Sequence, residues 1–576
     1  MKVPVGWLRE YVSFELPLEE LARRLVFTSC EVDRIVHRGP RDLDGNLGLF
    51  RVARVLEAGK HPNADRLQLC QVDVGEGEPR QIVCGAWNFG AGATVAVALP
   101  GALLPGAEQP LGEAKLRGER SRGMILSERE LELGADHSGI MLLPDGLEPG
   151  TPLADVLPLT EAVLEIETGF NRPDLTSVYG IAREVAAVTG AELAPQPGLE
   201  PPIPVPGASV DVTVEDADGC PRYVGRLFRG VRVGPSPLWL KARLLAAGMR
   251  PISNVVDVTN YVMLALGNPL HAFDHGTLAG ARVVVRRAQP GEELVTLDGQ
   301  LRRLDPADLM IADGERSVAL AGIMGGEETE VREETTEVLL EAANFDPLTV
   351  LRSTRRLRMR TEGSNRWEKG VDPYLAEAAA NHATELLLEL TGARWEAHVD
   401  VQGALPAPPV VQLLPDLAER LVGLPFAREE QERTLERLGF RVEGDRVTVP
   451  TWRARDVTRP VDLVEEVARF RMEEVPATMP ARESVSAQLT RAQRLRRQVE
   501  DVLVGAGYHE AYTWTLVPAA EGRIPLEEPY TVELAALRTD LEHGLREAAS
   551  RPSPGSKAGS TWSARYSVST APFAAA

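Results

Sequence analysis

The segment TWRARDVTRPVDLVEEVARF, residues 451 to 470, gathers carboxylates at a spacing that suits a hard metal ion. Proline is favoured in the first turn of a helix, and a helix starting at Pro460 sets Asp462, Glu465 and Glu466 at i, i+3 and i+4 on one face. Asp456, on the turn before it, is placed to close over them, and oxygen donors gathered this way suit Mg2+ with several retained waters. The same acids fit a second role, because carboxylates in a first helical turn stabilise the positive end of the helix dipole without any metal. Spacing alone leaves both open.

A second constellation lies in PISNVVDVTNYVMLALGNPLHAFD, residues 251 to 274, which brings Thr259, Asn260, His271 and Asp274 into a short span. Glu341, in VLLEAANFD, is a distant candidate partner. A histidine, a carboxylate and small hydroxyl or amide groups are the types that position a water for ester hydrolysis. No GxSxG nucleophile motif accompanies them. His271 and His275 would stand at i and i+4 if this stretch were helical, a weak metal-ligand hint, and a histidine held in the core for stability alone is the competing reading.

The elements that must carry these groups are readable from pattern. Two proline-rich runs, QPGLEPPIPVPG (196 to 207) and GALPAPP (403 to 409), cannot continue a helix or central strand and divide the chain. In the first third, LFRVARVLEAGKHPNADRLQLCQVDVG and RQIVCGAWNFGAGATVAVALPGALLPG alternate apolar and polar residues between turn residues, the rhythm of a small β-barrel. A helix is predicted over 173 to 190, capped by Asp174 or Thr176 and ended by Gly190. The middle mixes strands such as ARVVVRRA and SVALAGIMGG with helices such as DPYLAEAAANHATELLLELTG, and reads as α+β. Beyond the second linker come a helix near FAREEQERTLERLGF, a strand pair around FRVEGDRVTVPTW, the helix at Pro460, another in RAQRLRRQVEDVLVGAGYHEA, and a strand in AYTWTLV.

At 576 residues the chain exceeds one hydrophobic core, and usual domain sizes give about four domains. A formal charge of −21 means that any nucleic acid must be held by local patches. Candidates are Arg352, Arg355, Arg356, Arg358 and Arg360, and the helically spaced Arg491, Arg494 and Arg497, each of which reads equally as a solvated face. Cys30, Cys70, Cys84 and Cys220 form no CxxC pair and read as buried thiols; with no signal-like or membrane-spanning apolar stretch, a reducing cytoplasm fits best. No GxxxxGK[ST] loop and no GxGxxG is present, so neither a P-loop nor a dinucleotide site is indicated.

Several strings in order carry a resemblance: MKVPVGWLREYV, HPNADRL, QIVCGAWN, LRGERSRGMILSERELELG, FNRPDLTSVYGIAREVAAVTG, PISNVVDVTNYVMLALGNPLHAFD, AGIMGG, RTEGSNRWEKGVDP and RDVTRPVDLVEEVARF. Over residues 1 to 547 the sequence is similar to the bacterial phenylalanyl-tRNA synthetase β subunit. The resemblance implies a multidomain α+β protein: an N-terminal segment (1 to 38) packing with the editing module, a tRNA-binding OB-fold domain (39 to 155), an editing module of the B3/B4 kind (156 to 402), a small B5-like domain bearing the acidic helix (403 to 482), and a partial class II core-like domain (483 to 547). It places His271 and Glu341 as catalytic groups of an editing pocket that hydrolyses tyrosyl-tRNA, with Thr259, Asn260, Gly325, Thr361 and Gly363 lining it. It assigns Asp456, Asp462, Glu465 and Glu466 to Mg2+ shared with an α subunit. The implied assembly has two α and two β chains, binds phenylalanine tRNA in the cytoplasm, and uses ATP on the α subunit. After LRTDLEHGLREAAS the sequence departs into RPSPGSKAGSTWSARYSVSTAPFAAA, for which a truncated or frameshifted end and a disordered tail (548 to 576) are the expectation. A free-standing tRNA-binding deacylase and a nonfunctional truncated product are the alternative readings.

Overall fold

The computed structural model describes residues 1–134, 139–479 and 487–550; the serine-rich stretch from 551 onward, for which disorder is expected, lies outside the described residues. The chain forms two compact units, Met1–Pro476 and Ala477–Ala576.

Alternating residues after position 49 produce short antiparallel strands, as period-two patterning requires. Phe50–Lys60, Gln68–Asp73, Arg80–Cys84, Thr94–Ala98 and Met124–Ile125 pair in the spatial order third, second, first, fourth, fifth. Both faces are buried: Phe50, Val52, Ala96 and Ala98 enter one apolar cluster, while Ala53, Val55, Val95 and Val97 enter another. The outer strands also approach each other. Arg122 N–H donates to the Gln81 carbonyl at 2.9 Å and Val83 N–H to Ser121 Oγ at 3.1 Å, so the sheet curls toward closure.

Lys2–Pro4, Glu161–Glu167 and Glu31–Arg38 form a separate antiparallel sheet. Its apolar residues Val3, Leu164 and Ile166 join Trp7, Leu8, Leu21 and Leu25 in a core shared with the helices Val178–Thr189, Asn254–Leu266 and Leu375–Thr391. The helix after Pro173 starts later than its pattern predicts. Residues Pro173–Thr176 make a 3-10 turn, and Ser177, one residue past Thr176, caps the α-helix by accepting from Gly180 N–H at 3.0 Å. Gly190 ends it with φ 75°, a conformation that favours glycine.

The middle of the chain is a three-layer stack. One antiparallel sheet has the order His271–Asp274, Glu337–Asn344, Arg222–Arg229, Arg394–Gln402. A second runs Asp211–Val214, Arg282–Arg287, Leu309–Ala312, Ser317–Leu320, Met324–Gly325, its first pair parallel. Along Glu337–Asn344, Val338 and Leu340 face the helix layer while Leu339 and Ala343 pack between the two sheets. By the same alternation Glu341 projects between the sheets.

Val410–Gln412, Arg446–Thr448 and Arg441–Glu443 form a small sheet covered by Pro415–Val422, Arg428–Arg437 and Pro460–Ala468, the last starting at the proline that its pattern predicts. In the second unit, Thr490 caps the helix Arg491–Gly505, none of whose residues is buried. The strand expected in AYTWTLV shrinks to Leu516–Val517, with Tyr512 and Trp514 exposed, because among the described residues of this unit only Val517 and Ala536 are buried apolar side chains.

Candidate functional site

Glu341 is buried between the two sheets. Its backbone pairs with His271 on one side and Gly225 on the other, so the histidine is its cross-strand neighbour on the same face and the glycine leaves an open position beside it. Burial pushes the Glu341 carboxyl up to about 7, with the nearby Tyr223 hydroxyl acting in the opposite direction. Burial likewise pushes the His271 imidazole down to about 4. Near neutral pH the site therefore holds an uncharged imidazole beside a carboxyl poised between its two forms, the condition under which one group both accepts and returns a proton. The strand His271–Asp274 excludes the helical relation of His271 to His275.

Gly325, on the short strand Met324–Gly325, meets His271, and Thr361 is fastened to the segment just before that strand. A Cβ on Gly325 would stand 2.6 Å from His271 Cε1 and 2.7 Å from Nε2, so the imidazole edge lies directly against the glycine backbone. Two residues earlier, the Ile323 carbonyl accepts the Thr361 hydroxyl at 3.0 Å, and the same hydroxyl caps the helix Glu362–Trp367 by accepting from Ser364 N–H. Gly363 has room for a methyl group, which would contact Pro269 Cβ at 3.6 Å. Thr259 and Asn260 belong to the helix that covers the other face of the sheet, and the Thr259 hydroxyl is occupied by the Val256 carbonyl at 2.7 Å. Asp274 is also occupied, accepting the Thr335 hydroxyl at 2.6 Å and Gly276 N–H at 3.0 Å.

The four acids proposed for Mg2+ do not assemble. Asp462 accepts from Thr458 N–H at 2.9 Å and Arg459 N–H at 2.8 Å, capping its own helix, and pairs with the Arg459 guanidinium. Glu466 is buried between Arg453 and Arg469, Asp456 pairs with Arg453 at 2.6 Å, and Glu465 is exposed. Among the described residues no three His, Cys, Asp or Glu side chains converge as a metal site would require. The physical reason is that guanidiniums already supply the positive charge around these carboxylates. Within this chain Asp462 serves as a helix cap and Asp456 and Glu466 belong to an ion-pair network, while Glu465 stays exposed. Asp462→Asn should lower stability by about 1 kcal/mol through the weakened cap, read by denaturant titration, and leave calorimetric titration with MgCl2 unchanged.

That network is extensive. Arg172 bridges Asp174 at 2.7 Å and Glu184 at 2.6 Å; Arg469 reaches Glu184 at 2.6 Å, the Thr28 carbonyl at 2.7 Å and Glu466; Arg453 joins Glu466 to Asp456. It fastens the small domain after residue 410 to the helix Val178–Thr189.

Family models match four stretches of the chain: a tRNA binding domain over residues 50–152, the B3/4 domain over 219–392, the tRNA synthetase B5 domain over 411–471, and the phenylalanyl tRNA synthetase beta chain CLM domain over 475–552. The phenylalanine–tRNA ligase beta subunit of Geobacter metallireducens is 42% identical over 572 residues, which cover 96% of this chain and 70% of that protein. The chain belongs to the phenylalanine–tRNA ligase beta-subunit family. Its relative of the same name in Geobacter sulfurreducens is 43% identical over 574 residues, covering 96% and 70% respectively. Among solved structures, an N-terminal fragment of the phenylalanyl-tRNA synthetase beta subunit from Pyrococcus horikoshii aligns with 82% of this chain and 99% of its own, at 13% identity and a TM-score of 0.34.

Within this beta-subunit chain, sequence reasoning missed the groups behind Glu341. Tyr223, Cys220 and Gly225 carry no motif. The available signal was the alternation of RYVGRLFR, which sets Tyr223, Gly225 and Leu227 on one face, but nothing local says that Glu341 shares that face. The guanidinium network was missed for the same reason, since Arg172 and Arg469 are almost 300 residues apart in sequence.

Proposed function

We propose that this chain serves the ligase as its tRNA-binding and proofreading subunit, hydrolysing tyrosine from phenylalanine tRNA at a site built on His271 and Glu341. The observation that carries the reading is the buried cross-strand pair, a neutral imidazole beside a carboxyl that titrates near 7. As a carboxylate, Glu341 takes a proton from the attacking water, the water oxygen bonds to the ester carbon, and the bond to the ribose oxygen breaks as the proton returns to that oxygen. Gly325, Thr361 and Gly363 line the pocket, while a substrate touching Thr259 and Asn260 as well would have to bend round the edge strand His271–Asp274. A separate site is needed because a pocket made for phenylalanine rejects one added hydroxyl only weakly.

The five-stranded unit between Phe50 and Ile125, with its curled antiparallel sheet and double core, supports reading it as an OB-fold that holds tRNA. Ligation itself is assigned to an α subunit, with ATP and Mg2+ used there, in a cytoplasmic assembly of two α and two β chains to which residues 483 to 547 contribute a noncatalytic core-like domain. The four acids of this chain take no part in the proposed hydrolysis. The test is co-expression with the matching α chain, followed by size-exclusion chromatography and assay of tyrosyl-tRNA hydrolysis; a chain that hydrolyses without ever joining α would instead be a free-standing deacylase.

The basic run near the pocket bears on tRNA approach. Arg356 pairs with Asp308 and Arg360 with Glu368, whereas Arg352, Arg355 and Arg358 are exposed. Arg358 is three residues from Thr361, at most about 10 Å of extended chain. Changing all three to alanine is expected to weaken tRNA binding and reduce its salt dependence by about one logarithmic unit per lost phosphate contact, measured by filter binding across a salt series.

A further inference from the structure

Between the two sheets, beside Glu341, lies a second polar atom without a partner. The Tyr223 side chain is fully buried, and its hydroxyl makes no hydrogen bond; Glu341 Oε2 is likewise buried and unpaired. A buried hydroxyl left unsatisfied costs about 1–3 kcal/mol, and phenylalanine would supply the same ring without that cost. Backbone register explains why the two atoms are neighbours. Gly225 is the cross-strand partner of Glu341, and Tyr223 stands two residues before it on the same face. The Tyr223 ring lies beside the glycine: a Cβ at 225 would make ordinary contact with Tyr223 Cε1 at 3.6 Å and a tight one with Val399 Cγ1 at 3.0 Å. The open position at Gly225 leaves only apolar neighbours, Val399 and Val212, between the phenol and the carboxyl.

We propose that Tyr223 is a positioning residue of the hydrolytic site, its phenol O–H aimed at Glu341 Oε2 to hold that carboxylate, once ionised, in the orientation that faces the His271 side. The inference rests on the hydrolytic reading above. No proton leaves the phenol: burial and the adjacent Glu341 charge raise its pKa well above the ordinary tyrosine value, so it stays a donor. The titratable groups around Glu341 are few. His271 faces it from the edge strand, Tyr223 from the central strand and Cys220 from the residues just before that strand, the thiol being raised by burial first and by Glu341 second. The sheet packed above contributes Val212 at the Gly225 gap and other apolar side chains. Tyr223 is thus the group that offsets the effect of burial on the carboxyl.

The test uses the full chain co-purified with its α subunit and follows tyrosyl-tRNA hydrolysis against pH for wild type, Tyr223→Phe, Gly225→Ala and Glu341→Gln, with phenylalanine charging as the control for folding. Tyr223→Phe removes one oxygen and the donor, so the rise of rate with pH should move upward by about one pH unit, lowering the rate at pH 7 by about fivefold. Gly225→Ala, whose methyl group would press on Val399 at 3.0 Å and only touch the Tyr223 ring, keeps the hydroxyl and should leave the profile close to wild type. A Tyr223→Phe profile that superimposes on wild type, while Glu341→Gln has lost hydrolysis, overturns the role of Tyr223 alone. Hydrolysis that survives Glu341→Gln overturns the hydrolytic reading and this inference with it.

Discussion

Replacing Glu341 by alanine is expected to slow tyrosyl-tRNA hydrolysis by about 10²- to 10⁴-fold, the range for loss of a positioned proton-transfer group, while charging with phenylalanine by the assembled ligase stays close to wild type. The separation follows from placement: Glu341 lies in the interior of the three-layer stack, paired with His271 and Gly225 across its strand. Equal loss of both activities would remove Glu341 from the proofreading role. A stability measurement adds an independent sign. The folded carboxyl titrates near 7 against 4.5 unfolded, so its protonated form favours the fold below pH 4.5, and that contribution is lost as pH rises through 7. Glu341→Gln keeps the neutral shape at every pH. The difference of 2.5 units corresponds to about 3 kcal/mol, so the glutamine variant should be more stable than wild type by about that amount above pH 7 and equal to it near pH 4 in denaturant titrations. A variant that gains stability while losing hydrolysis would mark the buried carboxyl as retained for chemistry.

Glu184→Ala should be the most destabilising single change in the ion-pair network, costing up to about 3 kcal/mol because it takes one shared carboxylate from two buried guanidiniums that keep their other partners. Arg172 and Arg469 both lose their shared partner, and Arg469 is one of the groups tying the helix Val178–Thr189 to the helix Pro460–Ala468. The effect has a pH signature. Burial alone would raise the Glu184 carboxyl, but Arg469 and Arg172 overcome burial and hold it at about 2. A depressed pKa means that the contribution is complete above pH 4.5 and lost as pH falls toward 2. Wild type should therefore lose its advantage over the variant through that acid window, read by denaturant midpoints at a series of pH values. A constant difference across the window would show that Glu184 acts by packing and not by charge.

The sequence by itself determined what local periodicity and turn chemistry encode. Proline at position 460 announced a helix that the structure starts at that residue, Gly190 closed the helix before it, and the alternating stretch after residue 49 became short paired strands. The spacing of Asp462, Glu465 and Glu466 was also read correctly as one helical turn. Tertiary structure alone decided what surrounds that turn, because Arg453 and Arg469 close on Glu466 and the backbone at 458 and 459 takes Asp462. It likewise decided that His271 and Glu341 are partners, that Thr259 and Asn260 lie on the opposite face, and that Tyr223 stands behind the carboxyl. The difference is one of range. A helix start or a strand's alternation depends on residues within a few positions, whereas the charge state of Glu341 depends on strands brought together from positions 222, 271 and 341, and only their pairing removes the water that would otherwise keep that carboxyl an ordinary acid.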